Sequence, residues 1–179
     1  MAVIEAIATT YLEADAASVT FSGISGSYQN LQLRMSLRSK DSGVGGYWGN
    51  IKIRFNGDST GVYSFYAILG GAPLAAGSNT AQVVKYAADA GYAQAGYASN
   101  DLHNAADYTS CVIDILDYAD DGNKNTTMLT QVGHTGTNPV VYFGSGLWDD
   151  TDDVTSVTVL CDGGLWRGSE FTLYGLNSS

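Results

Sequence analysis

Apolar and polar residues alternate with a period of two along most of this chain, as strands do when one face is buried and the other is wet. The alternation is cleanest where Leu31, Leu33, Met35 and Leu37 are interleaved with Gln32, Arg34, Ser36 and Arg38. Val19 and Phe21 open the pattern within 17–24. Ile51, Ile53 and Phe55 alternate with Lys52 and Arg54 up to Asn56-Gly57-Asp58, a tight-turn signal. Tyr63 to Leu69 is rich in aromatic and aliphatic residues and predicts a further strand. Thr109 to Tyr118 carries Cys111, Ile113 and Ile115 on one parity and Val112 and Leu116 on the other, which predicts a central strand. Strands are also predicted over Thr126–Val132, over Val140–Phe143 with Gly146–Trp148, over Val154–Leu160 and over Phe171–Leu176. Asp120-Asp121-Gly122-Asn123 and Gly163-Gly164 supply turns.

That makes about nine strands at a spacing short enough for antiparallel pairing. No amphipathic helical pattern of 10 or more residues lies between them, which argues against a βαβ fold. The predicted fold class is all-β, an antiparallel two-sheet sandwich. Residues 17–179 form its single domain, and residues 1–16 form an N-terminal arm and first edge strand. Residues 70–107 break the rhythm. They are rich in Ala, Gly, Ser and Asn, with Tyr86, Tyr92 and Tyr97, and they read as an insertion crossing one end of the sandwich. Within it, 81–88 fits either a strand or a single helical turn.

The composition agrees with strands and tight turns. Among 179 residues there are 22 Gly, 12 Tyr and only 2 Pro, and charged residues make up 15%, against about 25% in a typical domain. Eight Lys and Arg against 18 Asp and Glu leave a net charge of −10. A phosphate backbone or an anionic membrane surface would be repelled, so neither nucleic acid nor membrane is an expected partner. Met1 to Thr10 has no basic residue before its short apolar stretch and carries Glu5, unlike a secretion signal, so folding in the cytoplasm is expected. Cys111 and Cys161 lie in strand patterns and read as buried reduced thiols, with a bridge between neighbouring strands as the alternative.

No catalytic residue, cofactor or metal site is assigned. His103 and His134 are far apart in sequence and show no metal-ligand spacing. The carboxylates that could serve glycoside hydrolysis are few: Glu5, Glu13 and Glu170, with Asp114 and Asp117 in the central strand. Asp114 reads as an ion-pair partner for Arg34 or Arg54. Two acidic loops, 117–123 and 149–153, lack the spacing of a calcium loop and read as solvated, with a weak cation at a subunit contact as the alternative. Trp48, Trp148 and Trp166 fall near predicted strand ends, and Tyr47 adjoins Trp48. These four are the candidate aromatics for a glycan platform or a subunit interface.

Several stretches resemble a family of small β-sandwich virion proteins of tailed bacteriophages. "SVTFSGISGSYQNLQLRMSLRS" is similar to that family's opening pair of strands, and "IKIRFNGDSTGVYSFYAI" to its R-F-N-G-D turn and Tyr-rich strand. "VIDILDYAD" resembles its I-D-I-x-D-Y strand, and "GLWDDTDDVTSVTV" with "GSEFTLYGL" its last two. The resemblance spans Ser18 to Leu176 apart from 70–107, and its motifs are those of packing and turns. It implies a jelly-roll-like sandwich with a non-enzymatic place in the virion, assembled in the host cytoplasm. The implied partners are copies of itself, as a homotrimer, and the major capsid protein or another virion protein. The chain starts with Met and ends just past its last strand, without a stalk, which favours a capsid decoration (cement) subunit over a tail fibre. The alternative is a glycan-binding receptor-recognition module of the tail apparatus. The apolar stretch 2–11 is the candidate docking arm.

Overall fold

The computed structural model describes residues 3–41, 48–71, 82–119, 122–135 and 139–177, with 82–89 described through the backbone alone. Among them lie twelve strands: β1 (Val3–Tyr11), β2 (Ala16–Ser22), β3 (Asn30–Leu37), β4 (Trp48–Phe55), β5 (Tyr63–Gly71), β6 (Gln82–Ala90), β7 (Ala93–Ser99), β8 (Thr109–Leu116), β9 (Thr126–His134), β10 (Val140–Trp148), β11 (Ser156–Leu165) and β12 (Glu170–Asn177). They form an eight-stranded sheet, ordered β1-β12-β3-β8-β9-β10-β5-β6, and a four-stranded sheet, ordered β2-β11-β4-β7. The pairings are antiparallel throughout. The chain crosses between sheets at every connection except those joining β5 to β6 and β8 to β9 to β10. That to-and-fro winding is jelly-roll-like. The β8–β9 hairpin widens the large sheet, and β1 and β12 extend its edge.

The alternating positions do what their pattern predicts. Leu31, Leu33 and Leu37 of β3, Ile51 and Ile53 of β4, Ile113 and Ile115 of β8, Val157 and Val159 of β11, and Phe171 and Leu173 of β12 are fully buried between the sheets. Each such side chain contributes roughly 1.5–3 kcal/mol by leaving water. The Asn56-Gly57 turn also forms, with φ of 52° and 70° and closure by the Asp58 amide on the Phe55 carbonyl. It joins β4 to β5 across the two sheets and is not a hairpin within one. Asn56 anchors it to the β10–β11 connection, its Oδ1 accepting from the Thr155 and Ser156 amides and its Nδ2 donating to the Asp153 carbonyl.

Three strands exceed the nine expected from the sequence. The N-terminal stretch pairs with β12 along Val3–Tyr11, so the arm is a hydrogen-bonded edge strand. The expected insertion at 70–107 supplies β6 to the large sheet and β7 to the small one. β7 escaped the periodicity because it is buried on both faces by small residues. Ala93, Ala95, Ala98, Gln94 and Ser99 are all enclosed, and the β4–β7 register slips between Ile51 and Lys52. A bulged strand of that kind shows no alternation to read.

Candidate interaction surface

The strand directions define two ends of the sandwich. The near end carries the β2–β3, β4–β5, β8–β9 and β10–β11 connections, and the far end carries the β3–β4, β7–β8 and β11–β12 connections. Trp148 closes β10 at the near end. It is 2% exposed, packs its ring 5.7 Å from Phe55, and donates from Nε1 to Asp58 Oδ2 at 3.0 Å. It is a core residue and offers no ring face to a sugar. Trp48 and Trp166 lie at the far end, about one strand length away. Trp48 is half-buried with its ring 5.6 Å from Tyr97. Trp166 is covered by Arg38 at 4.8 Å and Lys40 at 5.7 Å. Tyr47 lies outside the described residues. The structure thus separates the candidate aromatics.

Of the candidate carboxylates, Glu170 and Asp114 do not converge either. Glu170 shares a cross-strand row with Ser36 and Ser110, whereas Asp114 shares one with Gln32 and Tyr174. Four residues along the strand and two strands across put them about 16 Å apart, beyond the span of a glycosidase pair. Asp114 reaches Arg34 through Gln32: Gln32 Nε2 donates to Asp114 Oδ1, and Arg34 Nε donates to Gln32 Oε1, both at 2.7 Å. In the acidic loops, Asp149 accepts from Asn125, Asp150 from the Asp152 amide, and Asp117 pairs with Lys124. Asp120 and Asp121 lie outside the described residues. Among the described residues no three His, Cys, Asp or Glu side chains are grouped as around a metal ion. Cys111 and Cys161 are buried and free.

The structure brings together His103 and His134, which the sequence reading left apart. His103, in the β7–β8 connection, and His134, the last residue of β9, place Nδ1 and Nε2 3.0 Å apart in a buried setting. The carbonyl of His103 accepts from Arg38, itself 3% exposed, at 3.4 Å, and that of Asn100 does so at 3.1 Å. This cluster ties the 100–108 connection to the sheets.

The outer faces of the two sheets differ. On the small sheet Asp162 accepts from the Asn50 amide and side chain and from Lys52, whose ammonium lies 4.7 Å from the Tyr92 ring. Burial pulls the Asp162 carboxyl up, but Lys52 and Asn50 outweigh it and hold it below the usual carboxylate range. That face is a closed polar network.

The large sheet is different around β9, β10 and β5. Its outward positions are Thr127, Leu129, Gln131 and Gly133, then Val141, Phe143, Ser145 and Leu147, then Ser64, Tyr66, Ile68 and Gly70. None is charged. Val141 is 65% exposed, Ile68 50%, Phe143 48% and Tyr66 46%. Phe143 and Ile68 are direct cross-strand partners, with Tyr66 opposite Ser145 one step along the face. No motif announced this patch, yet the parity of the strands contains it: once Tyr142 and Ala67 point inward, Val141, Phe143, Tyr66 and Ile68 must point out. These four side chains form a contiguous apolar patch on a charge-poor stretch of the sheet.

The fold defines the class: an all-β, antiparallel two-sheet sandwich. Compared with known proteins, the chain matches no family model and no curated protein.

Proposed function

We propose that this chain is a non-enzymatic structural subunit of a bacteriophage particle, a capsid decoration (cement) protein or other particle-surface subunit acting through protein–protein contacts. The observation that carries the reading is the uncharged face of β9, β10 and β5 with Val141, Phe143, Tyr66 and Ile68 exposed. In a chain of net charge −10, such a face can be covered without stranding carboxylates, since interface cores are poor in charge and rich in aromatic side chains. The placement in a virion rests on the sequence resemblance, with copies of the chain, as a trimer, and a shell protein as its partners. The test is the copy number in purified particles, together with rebinding of the purified protein to stripped capsids. Copies in the hundreds and saturable rebinding support a shell subunit. Absence from the particle, or hydrolysis of a host polysaccharide by the purified chain, overturns it. Glycan recognition is the alternative, now resting on Trp48 and Trp166, with Tyr47 outside the described residues, and specific glycan-array binding lost in Trp166→Ala would favour it.

A further inference from the structure

Strand β1 is held in place by its backbone more than by its side chains. Of its nine residues Ile7 and Thr10 are half-buried, and the other seven, Val3, Ile4 and Tyr11 included, are exposed. Among the described residues it pairs with β12 alone, and the small sheet, which ends at β2, leaves both of its faces open. The ladder is also interrupted. Its register shifts between Ala6 and Ala8, so Ile7 stands out of it and β1 pairs as two short runs, Val3–Ala6 and Ala8–Tyr11. Exposed backbone hydrogen bonds backed by little apolar burial mark a segment that opens well below the free energy of global unfolding.

The chain that follows β1 is fixed. Leu12 packs on the core, its amide donates to the Ser169 carbonyl at 3.0 Å, and its carbonyl accepts from the Gly168 amide at 2.7 Å. Asp15 accepts from the Arg167 amide and pairs with Lys40, both at 2.9 Å. Motion of β1 therefore stops at Leu12. At the other end of the strand one side chain reaches it from the β2–β3 connection. A Cβ on Gly175 would collide with the Tyr28 ring, so glycine here lets that ring lie flat on β12. Glu5 is the cross-strand partner of Gly175, and the Tyr28 hydroxyl interacts with its carboxylate. Tyr28 itself is held by the body of the fold. Its amide donates to the hydroxyl of the buried Tyr118 at 3.1 Å, and that hydroxyl donates to the Ser25 carbonyl at 2.7 Å.

We propose that β1 is a strap that lifts off the edge of β12 as one unit while the rest of the sandwich stays folded, with Leu12 as its root and Tyr28, seated on Gly175 against Glu5, as its catch. Lifting costs the β1–β12 ladder, the Thr9–Thr172 hydroxyl bond of 3.1 Å, the half-buried Ile7 and the catch. Phe171 and Leu173 of β12 keep their places in the core, because β3 still pairs with that strand on its other side. The open form presents the β12 edge as a row of unpaired backbone donors and acceptors, and the closed form covers it. The strap is a property of the fold and stands whether or not the chain belongs to a particle.

The test is native-state amide hydrogen exchange on the full-length chain, resolved by residue and followed through a denaturant series below the unfolding transition. The β1 amides bonded to β12, and the β12 amides bonded to β1, should exchange as one group. Their protection should be at least about tenfold lower than that of β3 and β8, with a weaker dependence on denaturant. Tyr28→Phe keeps the ring over Gly175 and removes the hydroxyl. It should speed exchange in β1 by roughly two- to fivefold and leave β3 and β8 unchanged. Glu5→Ala should do the same, and the double variant should add nothing further, since both remove one interaction. Protection of β1 equal to that of β3 and β8, with the same denaturant dependence, overturns the strap. So does a β1 with no protection at all, which would have no closed form. Variants that leave β1 unchanged, or that speed β3 and β8 equally, overturn the catch.

Discussion

His134 and His103 share one hydrogen bond, Nε2 to Nδ1 at 3.0 Å, with their rings 4.5 Å apart and steeply inclined at 79°. Only one proton can occupy that line, so the bond requires a bare ring nitrogen on one of the two partners. Burial first, then the neighbouring His103, holds His134 below its ordinary pKa of 6.5, against an opposing pull from Asp107. A base whose folded pKa is depressed keeps its contribution above the unfolded value. As pH falls below about 6.5 the unfolded chain gains a proton that the folded chain refuses, and stability declines toward the folded pKa. Melting temperature should therefore fall between pH 7.5 and pH 5, and His134→Gln should flatten that slope. A slope that the variant leaves unchanged would place the titration elsewhere.

Trp148 and Asp58 make a second polar link in an apolar setting. The Asp58 carboxyl is held below the usual carboxylate range by the Thr60 hydroxyl, then by the Trp148 indole and the Thr60 amide. Trp148→Phe keeps the ring against Phe55 and removes the indole N–H. With Asp58 half-exposed, the cost is about 1 kcal/mol. Trp148→Ala leaves a cavity and should cost about 3–5 kcal/mol. A depressed carboxyl contributes above its unfolded pKa and loses that contribution as pH falls through the folded value. The Trp148→Phe deficit, measured by chemical denaturation, should thus shrink below about pH 4.

The sequence legibly carried the sandwich because β3, β4 and β12 each bury one face, so alternation and burial agree residue by residue. It failed at β7, where Ala93, Ala95 and Ala98 fill space on both sides; β1, exposed along nearly its whole length and held by pairing with β12, lies within 1–16, where the sequence reading puts a first edge strand. The candidate site fared differently. Tryptophans were singled out for their chemistry, yet Trp148 went to the core because Asp58 satisfied its indole N–H. The face now carrying the functional proposal consists of ordinary residues, and only the pairing of β10 with β5 and β9 assembles it. Long-range register of that kind is not written in any local stretch.

Tyr63 is fully buried, and its hydroxyl sits inside the β4–β5 turn. It accepts from the Phe55 amide at 2.8 Å and faces the Phe55 and Asp58 carbonyls, each at 3.3 Å. Burial pushes its pKa up to about 12, so it remains a neutral donor and acceptor at any physiological pH. Tyr63→Phe strands the Phe55 amide without a partner and should cost about 1–3 kcal/mol. Faster hydrogen exchange at Phe55 should accompany the loss. An unchanged denaturation midpoint would mean that water replaces the hydroxyl.

Cys111 and Cys161 are enclosed in the two facing sheets, and burial raises both thiols, Cys161 to about 12. Thiolate is the reactive form. Iodoacetamide at pH 8 should therefore leave both unmodified in the folded protein and alkylate both in denaturant, as read by intact mass. Fast labelling of either thiol without denaturant would contradict the packing described here.

Gly144 and Gly133 lie in neighbouring strands, and alanine at the two positions should act in opposite directions. At Gly144 a Cβ would come 2.5 Å from the Tyr142 ring, and that ring cannot easily withdraw, because its hydroxyl donates to the Gln94 carbonyl and its edge meets Tyr97 at 5.8 Å. Overpacking of this kind costs about 1–3 kcal/mol. At Gly133 the same methyl meets nothing, and removing glycine's extra freedom in the unfolded chain should stabilise the monomer by about 0.4–1 kcal/mol. Measured under conditions where the chain is monomeric, Gly144→Ala should lower the denaturation midpoint and Gly133→Ala should raise it. Equal destabilisation by both would mean that Gly133 is already covered within the monomer.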